Sequence, residues 1–128
     1  MEIDNKPIET NPRERRADVR LTVNVPVEIT TIYHKGPTIT ERTYVEDVSD
    51  FGCRFTMQGA IRKGDTVSIR LLSEDGQTLL EGPAKTFEVM WIARGPSIVV
   101  VGALILGEEK FDKSKFVQNS IETKIPIR

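Results

Sequence analysis

The sequence predicts an all-β chain, an antiparallel barrel or sandwich of about six strands. Three observations carry that prediction. Apolar residues recur at every second position in successive segments between Leu21 and Leu106. Glycine and proline punctuate the gaps between those segments. No helical period is visible before residue 108. The chain has 128 residues and a mass of 14.4 kDa, the size of one domain with a core of its own.

In the first strand, Leu21, Val23, Val25, Val27 and Ile29 alternate with Thr22, Asn24, Pro26, Glu28 and Thr30. This is the period of a half-buried strand. Pro26 falls on the outward face and predicts an edge or a bulge, because proline cannot donate to a ladder. His34-Lys-Gly-Pro37 is a turn, and a second strand spans residues 38–48. Ser49-Asp-Phe-Gly52 is a tight turn, with Gly52 a candidate for positive φ. Cys53, Phe55 and Met57 then point inward, and the stretch from Gly59 to Gly64 is a connection. Val67, Ile69 and Leu71 mark the fourth strand, ended by Glu74-Asp-Gly76. Phe87, Val89 and Trp91 stand at period two within residues 84–92, and Phe87 and Trp91 read as core rather than as a stacking platform. Arg94-Gly-Pro96 turns the chain into the last strand, 97–106, the longest apolar run.

Residues 108–122 differ. Glu108 and Glu109 precede Lys110, Lys113 and Lys115, the charge order that suits a short helix. Three segments follow from this reading: a mobile arm over 1–12, a folded domain over 13–107, and a helix with its tail over 108–128.

Charge and composition exclude several classes of function. The net charge of −1 gives no general attraction for DNA or RNA. No apolar run approaches the roughly 20 residues of a membrane helix, so no membrane insertion is expected. Met1-Glu-Ile-Asp-Asn-Lys is polar, so no secretory signal is expected either, and a cytoplasmic location is the default. Cys53 is the only cysteine, which leaves neither an internal disulfide nor a cysteine-based zinc site. His34 is the only histidine and reads as a solvated turn residue, with no serine or cysteine arranged beside it. Gly59 and Gly64 have the spacing of a P-loop, but Asp65 stands where that loop needs lysine. Asp50-Phe51-Gly52 spells a kinase triplet in a chain too short for a kinase. No catalytic residue is expected, and the chain reads as a non-enzyme without a cofactor or metal.

Two motifs remain. Arg16-Ala-Asp-Val-Arg20 is an Arg-x-x-x-Arg inside a local cluster that includes Arg13 and Arg15. By chance a chain of this composition holds about 0.8 such pairs, so alone it carries little. Asp47-Val-Ser49-Asp-Phe-Gly52 is an Asp-x-Ser-x-x-Gly, expected by chance only about 0.02 times. Taken separately, the arginines also fit a solvated arm, and Asp47, Ser49 and Gly52 fit an ordinary Asx or Ser turn.

In this order the two motifs resemble the PilZ domain, the bacterial receptor for cyclic di-GMP. Gly52-Cys-Arg-Phe55, Gly64-Asp-Thr-Val67, Val89-Met-Trp91 and Gly102-Ala-Leu104 extend the resemblance over roughly residues 13–107. The family often has phenylalanine where Leu104 stands. The resemblance implies a six-stranded antiparallel barrel followed by a helix. It also implies a binding set of Arg16, Arg20, Asp47, Ser49 and Gly52 for cyclic di-GMP. In the family, an arginine at the position of Arg15 goes with two stacked ligand molecules per chain. With no output domain in this sequence, the signal would pass to a separate partner protein. A PilZ-like interaction module that binds no nucleotide is the alternative, and a small barrel for single-stranded nucleic acid ranks last.

Overall fold

The computed structural model describes residues 19–32 and 38–121. The 1–12 arm, Arg13, Arg15, Arg16 and the His34 turn lie outside the described residues. Six strands form one closed antiparallel barrel in the order β1-β2-β3-β6-β5-β4. They are β1 (Leu21–Ile32), β2 (Ile39–Val48), β3 (Gly52–Met57), β4 (Thr66–Leu71), β5 (Lys85–Arg94) and β6 (Val99–Ile105). Between barrel and sandwich, the structure decides for the barrel. No helix among the described residues is long and apolar enough to cross a membrane.

The barrel interior is the set of alternating apolar residues. Val25, Val27 and Ile29 of β1 face Val45 and Val48 of β2 and Cys53, Phe55 and Met57 of β3. Val67, Ile69, Phe87, Val89, Val99, Val101 and Ala103 complete it. The apolar side chains alternate toward this interior wherever the ladder is regular. Pro26 is buried and lies just past a register shift between Thr22 and Val25. The bulge lies near Pro26 rather than at it, since Pro26 itself pairs in register with Tyr44. The expected edge is absent, because β1 pairs with both β2 and β4.

One corrected expectation concerns Trp91. Phe87 is fully buried, as expected, but Trp91 is 45% exposed. The cause is a second register shift: Val89 pairs with Ala103 and Trp91 with Gly102, so Met90 is an extra residue on β5. A bulge reverses the parity of everything after it, and Trp91 moves to the outer face.

The C-terminal helix is shorter than the 108–122 segment. Among the described residues only α1 (Ser114–Gln118) is helical. The stretch before it crosses the barrel end instead, where the Phe111 N–H donates to the Asp50 carbonyl at 2.6 Å. That crossing seats Phe111 edge-on against Phe87 (5.2 Å between centroids) and Phe116 (5.0 Å), closing the barrel end. Beyond α1, the Ser120 hydroxyl accepts from the Asn24 N–H at 2.9 Å, and the Ile121 N–H donates to the Asn24 carbonyl at 2.7 Å.

Candidate ligand-binding site

The site begins with a bulge in β2. Val45 pairs with Phe55, Asp47 with Arg54, and Val48 with Cys53, leaving Glu46 as the extra residue. Val45 and Val48 thus both face the core, and Asp47 is turned onto the outer face. There its carboxylate is held from two sides. Arg20 donates to Oδ1 from Nε at 3.1 Å and from Nη2 at 2.8 Å. Arg54 places its Nε 3.0 Å from Oδ2, as an ion pair rather than a well-aligned hydrogen bond. The Asp47 side chain is only 10% exposed, so these charges meet with little water between them. Glu46 stands farther from Arg54, at 3.6 Å.

The structure therefore joins one residue of each motif. Arg20 and Asp47, 27 positions apart, are bonded to each other. Arg15 and Arg16 belong to the segment outside the described residues.

Ser49 and Gly52 have local duties in the turn between β2 and β3. Ser49 is fully buried, and its hydroxyl oxygen accepts from the Phe51 N–H at 3.2 Å and the Gly52 N–H at 3.3 Å. The Ser49 N–H closes the turn on the Gly52 carbonyl at 2.9 Å. Gly52 is not among the glycines with positive φ, contrary to expectation. Its lack of a side chain matters for another reason: a Cβ would sit 1.9 Å from the Ala103 carbonyl oxygen of β6. The close approach is between β3 and β6, so the glycine serves the barrel wall.

Asp50, in the same turn, is gripped by the crossing segment. Lys113 Nζ lies 2.5 Å from its Oδ1, and Lys110 Nζ 4.0 Å from its Oδ2. The hydrogen bond and charge of Lys113 hold the Asp50 carboxyl below the usual carboxylate range. On β3, burial pushes the Cys53 thiol well up, with the nearby Asp47 carboxylate adding to the effect. The residue is therefore inert as a nucleophile. No group of three or more histidine, cysteine or acidic side chains among the described residues could hold a metal ion.

The sequence reading missed Arg54 as a site residue. The signal was available: counting outward from the Ser49–Gly52 turn sets Val48 against Cys53 and Asp47 against Arg54. The sequence profile of the PilZ domain matches residues 14–98. The chain belongs to the PilZ domain family. PilZ domains are known for binding cyclic di-GMP, and they are in general receptor modules rather than enzymes. The matched span contains both motifs and β1 through β5, while β6, which closes the barrel, lies beyond it. No curated protein matches the chain.

Proposed function

We propose that this PilZ protein is a non-enzymatic receptor that binds cyclic di-GMP and relays the signal to a separate protein. The observation that carries the reading is the Arg20–Asp47 bond, which sets the second arginine of the Arg-x-x-x-Arg against the aspartate of the Asp-x-Ser-x-x-Gly. The binding set is Arg15, Arg16, Arg20, Asp47, Ser49 and Gly52.

The chemistry suits a guanine dinucleotide. Asp47 accepts from the guanine N1–H and N2–H₂ edge, which a carboxylate complements. An arginine fork matches guanine O6 and N7, or a phosphate, in a bidentate way. Ligand replaces Asp47 as the partner of Arg20, so charge-assisted bonds are exchanged rather than lost. The net gain comes from Arg15 and Arg16 meeting phosphates and from base contacts. Ser49 acts by holding the turn that carries Asp47, and Gly52 by keeping that turn tight against β6. Closure of the arginine segment over the bound nucleotide would make the surface a partner reads.

Calorimetric titration with cyclic di-GMP tests the reading, with cyclic di-AMP as the base control. Binding should favour the guanine ligand, whose donor edge Asp47 matches. Arg16→Ala and Arg20→Ala should each weaken binding about ten- to a hundredfold, the worth of charge-assisted hydrogen bonds. Hydrogen exchange over residues 1–20 should slow when ligand is added. The nucleotide should be recovered intact after long incubation. Absence of heat from the wild-type protein would favour an interaction module without nucleotide.

A further inference from the structure

The barrel wall is incomplete where β4 meets β5. The β1–β4 ladder runs on to the pair of Val27 with Leu71, but the β4–β5 ladder stops at Ile69 with Lys85. Before β5 begins, the chain has already paired with the end of β4: the Leu80 N–H donates to the Leu71 carbonyl at 2.9 Å, and Leu79 bridges to Leu72. Between Leu80 and Lys85, the segment Glu81-Gly82-Pro83-Ala84 therefore stands opposite Arg70 alone. Its residue types account for the excursion. Gly82 has φ +125°, a left-handed conformation that side chains avoid, and Pro83 has no N–H to give to a ladder. The whole segment is exposed.

Under that excursion lies a cavity of about 180 Å³. Its apolar walls are Ile69, Leu71, Pro83 and Phe116, and of these Ile69 and Phe116 are buried members of the core. The cavity is thus an opening at the barrel mouth that reaches the core, rather than a dent in a solvated face. Sites for drug-sized ligands run to roughly 300–1,000 Å³, so an occupant here is smaller than a nucleotide. Charged side chains complete the lining: Glu81, Lys85, Asp112 and Lys115. Lys85 and Asp112 are engaged. Lys85 Nζ lies 3.2 Å from Glu108 Oε2, and Asp112 Oδ1 accepts from the Ser114 N–H at 3.1 Å and from its hydroxyl at 2.8 Å. The side chains of Glu81 and Lys115 have no hydrogen-bond or ion-pair partner among the described residues. No ion pair joins them to each other either, although both line the one cavity.

We propose that this cavity binds a small aliphatic zwitterion, of the size and chemistry of free leucine, separately from the nucleotide site around Asp47. The branched chain lies on Ile69, Leu71, Pro83 and Phe116, where removal of apolar surface from water favours it. Its carboxylate meets the Lys115 ammonium, and its ammonium meets the Glu81 carboxylate. Each unpaired charge at the mouth then gains a partner of opposite sign. A purely apolar molecule would leave both charges as they are, and a singly charged one would leave one of them. Lys115 stands on α1 and Glu81 on the excursion, so the bound molecule also ties the C-terminal segment to the barrel wall.

Three molecules with the same branched tail test the site: leucine, 4-methylpentanoate, which lacks the ammonium, and 3-methylbutylamine, which lacks the carboxylate. Each is titrated into the full chain while amide shifts are followed by nuclear magnetic resonance. Leucine should give saturable shifts that gather at Ile69, Leu71, Gly82, Lys85, Lys115 and Phe116. The two analogues should bind about three- to tenfold more weakly, since each forgoes one charge-assisted bond at an exposed rim. Lys115→Gln should erase the advantage of leucine over 3-methylbutylamine, and Glu81→Gln its advantage over 4-methylpentanoate. Both positions are exposed, and circular dichroism checks that each variant keeps the barrel. Absence of saturable shifts at these amides would overturn the site. Analogues as tight as leucine, or a leucine advantage that survives both substitutions, would overturn the zwitterion as its occupant.

Discussion

The β1–β4 wall and the Asp47 row are built from the same kind of strand and put to different use. Along the wall, Val27 through Ile32 pair with Leu71 back to Thr66 without a shift. Its outward residues are Glu28, Thr30, Ile32, Thr66, Ser68 and Arg70, a surface that is charged and hydroxylated apart from Ile32. Glu28 pairs across to Arg42 at 3.2 Å, and Thr30 to Thr40 at 3.1 Å. The row that pairs Thr22, Asp47, Arg54, Gly102 and Trp91 has a shift at β1, at β2 and at β5, and its outward residues are a hydroxyl, a shielded carboxylate, one guanidinium, a bare glycine and an indole. Regular pairing builds the wall, and interrupted pairing re-aims side chains for a site.

The largest expected effect lies in the core that both regions share. Phe55→Ala should destabilise the protein by about 3–5 kcal/mol, the cost of a large buried truncation. Urea unfolding measures it, and a change under about 1 kcal/mol would mean that the interior is looser than its full burial implies. The next effect separates the regions. Asp47→Ala should lower cyclic di-GMP affinity about ten- to a hundredfold, while Glu28→Ala leaves it unchanged. Equal losses in a calorimetric titration would erase the distinction between wall and row.

Stoichiometry sharpens the comparison further. If Arg15 adds a second, stacked nucleotide to the row, the wild-type protein should bind two molecules and Arg15→Ala one. A one-to-one titration of the wild-type chain well above the dissociation constant would remove that role. On the wall, Glu28→Ala should cost at most about 1 kcal/mol, since exposed ion pairs contribute little. Thermal unfolding in low and high salt checks this.

The smallest effect is acid sensitivity at the turn. Lys113 depresses the Asp50 carboxyl, so the pair contributes stability above the ordinary carboxylate value of 3.8 and loses it as pH falls through the lower folded value. Asp50→Asn should abolish that part of the acid dependence, so that the variant is slightly less stable at neutral pH and the two proteins converge in acid. An unaltered acid limb in the unfolding profile would show that the ion pair is not formed in solution.

The strands were legible because one-sided burial writes period two directly into β1, β3 and β4. The site was legible as far as its motifs: Arg20 and Asp47 do meet. Three features were hidden, each for a physical reason. Trp91 continued an apparent alternation, and the extra Met90 that ends it is visible only against β6. Arg54 takes its role from a residue across a hairpin rather than from a neighbour in sequence. The span 108–113 carries charges that suit a helix, yet the Phe111–Asp50 backbone bond and the burial of Phe111 hold it in a crossing path. Gly52 was singled out correctly for the wrong reason, because close packing on Ala103 leaves no trace in local sequence.

The place of β6 has a consequence for biosynthesis. It is made last of the strands, yet it sits between β3 and β5 and pairs with both. Until residues 99–105 have left the ribosome, two strand edges stay open, and open edges invite pairing with other chains. The bond between Asn24 and Ser120 then joins residues 96 positions apart, a contact available only once residue 120 has been made. Such long-range closure slows folding in barrels. The barrel therefore stays unsealed until its last strand is made, and the arginine-rich segment before β1 emerges long before the wall that closes the barrel.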